Sequence, residues 1–187
     1  MAYLGPEIRR QHCRWQEGRR PANLPAMKNP MAHPAPSEAA FLLPPQHVLR
    51  VAVREDDIDD FAHVNNVVYL GWMARAAWDH SKALGFDFAA YRARDCGFVV
   101  THHEIDYKAA ATLGDDIHIA TWVSLNDGRL RLRRRFQMLD QSGRELARGV
   151  SDFAAMRLSN GRAMRMHQDY VSGYPVSDAA ETAFLET

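Results

Sequence analysis

The stretch Asp56-Asp57-Ile58-Asp59-Asp60-Phe61-Ala62-His63-Val64-Asn65-Asn66-Val67-Val68-Tyr69 decides how this chain is read. Four aspartates crowd a turn, and an apolar helical stretch follows at once. Asn65 or Asn66 is a natural N-cap, because an asparagine oxygen accepts a bond from an orphan N–H of the first helical turn. Val67, Val68, Leu70, Met73, Ala74, Ala77 and Trp78 spread around much of a helix over 66–84, and Gly85 is placed to end it in a left-handed conformation. Only Arg75, Asp79, His80 and Lys82 are strongly polar there. A helix this apolar is expected to be largely buried.

Working outward, His47 to Arg54 precedes the acidic turn as a strand, with Leu49, Val51 and Val53 on one face. Beyond the helix, 86–95 is a short connection. Strands are then expected over 98–108, 116–125, 129–139 and 145–158, and 162–166 adds a possible edge strand. Asn126-Asp127-Gly128 is a hairpin signal between two of them. One buried helix against one curled antiparallel sheet of about five strands satisfies this order, giving an α+β domain over 47–170. Eight of the nine prolines fall before residue 46, so 1–46 is expected to be a flexible arm and 171–187 a C-terminal tail. The arm is a partner-docking segment, simple disorder, or the product of an overlong reading frame with Met27 or Met31 as the start.

The bulk composition excludes several classes. Basic and acidic residues balance at 23 each, so no global field recruits nucleic acid or an anionic membrane. Residues 1–47 carry six basic against three acidic side chains, which leaves the remainder net acidic. Two cysteines, Cys13 and Cys96, do not make a disulfide framework and point to a reducing compartment. No apolar run approaches the ~20 residues of a membrane span, and no secretory signal is visible, so the cytosol is expected. Neither zinc-type Cys/His spacing nor a glycine-rich phosphate loop is present. His102 and His103 are neighbours on a strand and point to opposite faces, so they cannot chelate one metal together. Alternation in 129–136 puts Arg129, Arg131, Arg133 and Arg135 on one exposed face, with Leu130, Leu132, Arg134 and Phe136 opposite. With no aromatics interleaved, that exposed face is a poor nucleic-acid platform. It is a solvated face, a contact for coenzyme A phosphates, or a contact for another subunit.

The opening stretch resembles the signature Asp-x-Asp-x-x-Gly-His-Val-Asn-Asn-x-x-Tyr of the 4-hydroxybenzoyl-CoA thioesterase-like family, acyl-CoA thioesterases of the hotdog fold. Asp57, Asp59, His63, Val64, Asn65, Asn66 and Tyr69 stand at the matching positions. Glu104-Ile105-Asp106-Tyr107, Leu113-Gly114-Asp115, Thr121-Trp122-Val123 and Gly161-Arg162 extend the similarity over 47–170. One departure is Ala62, where the family has glycine. Either the turn takes alanine in an ordinary conformation or its geometry differs.

The resemblance implies hydrolysis of an acyl-CoA thioester to a free acid and coenzyme A, with no cofactor or metal. It also implies a homodimer or homotetramer whose active sites lie where subunits meet. Because a thiolate leaves readily, one carboxylate suffices, either attacking to form a mixed anhydride or deprotonating water. Asp59 matches the family's catalytic carboxylate, and Asp57 is a second candidate. The plain alternative for all four aspartates is a solvated turn before a helix whose dipole favours negative charge. His63 is a candidate to orient the carboxylate or contact the acyl carbonyl, or else a structural hydrogen-bonding residue. Asn65 or Asn66 is implied to line the acyl site, beside a capping role, and Tyr69 is pocket wall or core. Gly97 corresponds to a segment that presents a backbone N–H to the thioester oxygen, or it simply punctuates a loop. The alternative function is a non-catalytic acyl-CoA or acyl-carrier binding module of the same fold. A hotdog dehydratase ranks third, because no histidine motif of that kind is present.

Overall fold

The computed structural model describes residues 35–185. The expectations for 1–34, including most of the proline-rich arm and Cys13, lie outside the described residues. Strand β1 (His47–Ala52) leads through the acidic turn into helix α1 (Asn66–Ala83), and the short helix α2 (Phe88–Ala93) follows. Four strands come next: β2 (Cys96–Tyr107), β3 (Asp116–Asn126), β4 (Arg131–Leu139) and β5 (Glu145–Arg157). The chain closes with α3 (Gln168–Gly173) and α4 (Asp178–Leu185).

The five strands form one antiparallel sheet in the order β1-β3-β4-β5-β2. It stays open, with β1 and β2 at its edges. The expected α+β architecture, one long helix against a five-stranded sheet, is the observed one.

Helix α1 starts where the sequence says it should. Asn65 is the N-cap, its Oδ1 accepting from the Val67 N–H at 3.0 Å. Gly85, at φ +85°, turns the chain away at the other end. Tyr69, Trp72, Met73, Ala76, Ala77, His80 and Ser81 recur at helical spacing and form the buried stripe. Upper members of the stripe pack on Val51, Ile117, Ile119, Phe136, Met138 and Leu146 of the sheet. The helix is less covered than its composition predicts, since Val67 is 73% and Trp78 41% exposed in the single chain.

Three local differences have physical causes. The expected connection at 86–95 contains α2, capped by the Asp87 side chain on the Ala90 N–H and anchored by buried Tyr91. The expected edge strand at 162–166 is reduced to a single bridge, Met156 to Ala163. The sheet's second face is not bare. Phe41 and Ala180 pack there on Ala120, Trp122 and Leu139. Trp122 Nε1 donates to the Pro44 carbonyl at 2.9 Å, and the Val123 N–H donates to Gln46 Oε1 at 2.7 Å. Thus Phe41 and Ala180, which the sequence assigned to the arm (1–46) and the tail (171–187), pack on the same sheet as 47–170. Among the described residues no helix is long and apolar enough to cross a membrane.

Candidate active site

The acidic turn is a self-tied loop. The Asp59 N–H donates to the His63 carbonyl (2.8 Å), and the Ala62 N–H returns a bond to the Asp59 carbonyl (3.0 Å). Asp59 Oδ1 accepts from the Phe61 N–H at 2.9 Å and the His63 N–H at 3.4 Å. One carboxylate oxygen thereby shapes the loop, and among the described residues Oδ2 accepts no bond. Asp57 likewise gives one oxygen to structure: Oδ2 accepts from the Arg54 N–H, and its carbonyl accepts from the Asn65 N–H at 2.9 Å.

Ala62 answers the question raised by its departure from the family pattern. It sits at φ +60°, in the left-handed region that glycine enters freely. The backbone geometry is therefore held with alanine, at a cost of roughly 1 kcal/mol or more.

Two cavities border α1. One, of about 570 Å³, is lined by Asp59, His63, Asn65, Asn66 and Tyr69 together with the chain at 107–110. Five of the six residues singled out in the sequence thus meet in one place. Asn65 gives its side chain to the helix cap, while the Asn66 carbonyl accepts from the Tyr107 hydroxyl at 3.0 Å. Tyr69 is core and wall at once: it is 2% exposed, and its hydroxyl accepts from the Ala111 N–H at 3.0 Å. Burial raises the Tyr69 phenol above its ordinary pKa, which keeps it neutral.

Gly97 is not part of that group. It lines a second cavity, of about 300 Å³, whose walls include Met73, Ala77, Trp78, Phe98, Leu132 and Phe153. The absence of a side chain there has a packing reason, since a Cβ would lie 2.7 Å from Leu158 Cδ2. Both cavities lie between α1 and β2. The polar one is bounded by the helix start and the end of β2, the apolar one by the helix's later turns and the start of β2. Tyr69 and Met73 are one turn apart, about 6 Å along the axis.

Sequence reasoning did not place the polar end of the apolar cavity. Arg134 sits there, 2% exposed, with Nη1 donating to His80 Nδ1 at 2.7 Å and Nη2 to Ser81 Oγ at 3.1 Å. Tyr174 donates to Ser81 Oγ at 2.9 Å and shares a short hydroxyl–hydroxyl bond with Tyr91. Burial first, then the charges of Arg134 and His47, push His80 down to about 3. Burial likewise raises Tyr91 and lowers His103, whose Nδ1 lies 2.8 Å from Ser151 Oγ. The signal was present in the alternation of β4, which put Arg134 among leucines and Phe136. On the other face, Arg133 pairs with Asp152 of β5 at 2.7 Å and with Glu181 of α4 at 3.1 Å, and Arg135 pairs with the same Glu181 at 2.7 Å. Those two arginines clamp a helix. Among the described residues no group of three or more His, Cys, Asp or Glu side chains is placed to hold a metal ion.

The sequence model of the thioesterase-like superfamily matches residues 53–173. The chain belongs to that superfamily. Among curated relatives, the long-chain acyl-CoA thioesterase FadM of Escherichia coli K12 is 26% identical over 117 residues, 63% of this chain and 88% of FadM. A solved DHNA-CoA thioesterase from Staphylococcus aureus is similar in fold, with a TM-score of 0.64 and 18% identity, covering 75% of this chain and 93% of that one. Slr0204 of Synechocystis, a 1,4-dihydroxy-2-naphthoyl-CoA thioesterase, gives 0.62 and 16%, over 68% and 94%. This thioesterase-like chain therefore has the hotdog fold that its opening motif implied, and thioester hydrolysis is the chemistry of its superfamily.

Proposed function

We propose that this protein hydrolyses acyl-CoA thioesters, with Asp59 as the reacting carboxylate. The observation that carries the proposal is the single cavity in which Asp59, His63, Asn65, Asn66 and Tyr69 meet at the start of α1. Asp59 either attacks the thioester carbon, expelling the coenzyme A thiolate and leaving a mixed anhydride for water to open, or takes the proton of an attacking water. The acyl chain runs from there along α1 into the apolar cavity. His63 borders the cavity beside Asp59 and positions the carboxylate or the carbonyl. Asn65 and Asn66 bound the acyl end, and Tyr69 closes the wall.

The assembly is part of this proposal. Val67, Trp78, Val99 and Val100 leave apolar surface exposed on α1 and β2, and β2 is an edge strand of 12 residues. Pairing with a second copy covers both liabilities. A homodimer or homotetramer follows, working on an acyl-CoA without cofactor or metal in the cytosol. Gly97 lines the other cavity, so its part as oxyanion donor requires a second copy of the chain at the site.

One observation favours a second reading, a non-catalytic acyl-CoA or acyl-carrier binding module: Asp59 Oδ1 is already engaged by its own loop. Thiol release measured over short, long, branched and aromatic acyl-CoAs separates the two. Turnover of at least one member is expected. Tight binding with no thiol released from any of them overturns the hydrolase reading and leaves the binding module.

A further inference from the structure

The Asp59 cavity accommodates the thioester end of a substrate and leaves the far end of the apolar cavity unexplained. Arg134 lines that end, and among the described residues no aspartate or glutamate pairs with it. Its partners are neutral. His80 accepts at Nδ1, and its depressed pKa keeps it uncharged. Ser81 Oγ also accepts from Tyr174 and donates to the Ala77 carbonyl. The Tyr174 ring lies 5.3 Å from the guanidinium carbon. A guanidinium stays charged at any physiological pH. Buried without a counter-ion, such a charge is expensive, and a pairing anion relieves the cost. Most of the other walls, Trp78, Phe98, Leu132 and Phe153 among them, are apolar, and the remaining polar side chains, His103 and Ser151 among them, carry no charge that could pair with the guanidinium.

We propose that the apolar cavity takes an acyl chain whose far end carries a carboxylate, paired with Arg134, so that ω-carboxyacyl thioesters are preferred over simple fatty acyl thioesters. This rests on the thioesterase reading and names its substrate class. The dimensions set the chain length. From Tyr69, at the polar cavity, to Ser81, beside Arg134, the helix advances about 18 Å, the scale of a long acyl chain. Specificity follows from the same geometry. A methyl terminus would leave the guanidinium without an anion, and buried polar recognition discriminates far more strongly than an added methylene does.

The test compares matched pairs on the full chain: hexadecanedioyl-CoA against hexadecanoyl-CoA, and dodecanedioyl-CoA against dodecanoyl-CoA. In the wild type, kcat/KM is expected to favour the dicarboxylic member by at least about tenfold at one length or both. Arg134→Met is expected to abolish or invert that preference. Equal or reversed preference in the wild type at both lengths overturns the proposal, whether or not Arg134→Met folds. A wild-type preference that survives unchanged in a folded Arg134→Met overturns the assignment of Arg134. Calorimetry with S-hexadecyl-CoA and its S-(ω-carboxypentadecyl) counterpart, which cannot be hydrolysed, reads the anion site without turnover. Tighter binding of the carboxylated thioether supports the site even if no thiol is ever released, an outcome that sinks only the hydrolase reading. Equal binding of the two thioethers counts against the site independently of catalysis.

Discussion

The two cavities along α1 are built in opposite ways. The polar one draws Asp59, His63, Asn65, Asn66 and Tyr69 from a single contiguous stretch, so local rules of turn and cap arrange most of it. The apolar one gathers Met73, Tyr91, Phe98, Arg134, Ser151 and Tyr174 from six separate elements or segments, and only the folded sheet brings them together. Local sequence can specify a candidate reacting group; the shape and charge of the apolar cavity are a property of long-range packing.

The largest expected effect falls on the polar side. Asp59→Asn removes the ionisable oxygen and keeps an acceptor for the loop's N–H groups. Thiol release should drop by about 10²–10⁴-fold. Asp57→Asn, at a residue tied to the Arg54 N–H, should cost far less, and a stopped assay on both variants reads the contrast.

On the apolar side, Gly149→Ala would set a Cβ 2.7 Å from Met73 Sδ and Cε and 3.1 Å from the Glu104 carbonyl oxygen. Overpacking of this kind should cost about 1–3 kcal/mol in a urea melt. His80 supplies a pH signature. Its folded pKa is depressed to about 3, so between that value and the ordinary 6.5 the unfolded chain binds a proton that the folded one does not. Stability therefore falls as pH drops through that window, by about 1–2 kcal/mol between roughly pH 6.5 and 5. His80→Gln keeps an acceptor for Arg134 and should remove that part of the slope in melts at two pH values.

The smallest effects form an opposed pair in the acidic turn. Asn65→Ala loses the helix cap and should destabilise by about 1 kcal/mol. Ala62→Gly relieves the left-handed alanine and should stabilise by about 1 kcal/mol, measured in the same melts.

What was legible follows the same division. Helix α1, an asparagine cap at 65 or 66, its Gly85 stop and the four later strands were readable, because each rests on periodicity or turn chemistry within a short window. The packing of Phe41 and Ala180 on the outer sheet face was not, since those residues lie far from Trp122 in sequence and show no periodicity of their own. For Gly97, given as a candidate by likeness, the sequence did not show its surroundings within one chain, where its neighbour is Leu158 and its cavity is the apolar one. Arg134 stood in the inward register of β4, which signalled burial, but the pattern did not show that its partners there would be His80 and Ser81 of α1.

The most direct test of the whole account is a crystal structure of Asp59→Asn with dodecanoyl-CoA bound. The thioester carbonyl should lie within hydrogen-bonding reach of the residue 59 side chain, with the acyl chain following α1 past Met73 towards Arg134. A thioester bound away from the acidic turn, or a chain that leaves the cavity beside Trp78 empty, would contradict it.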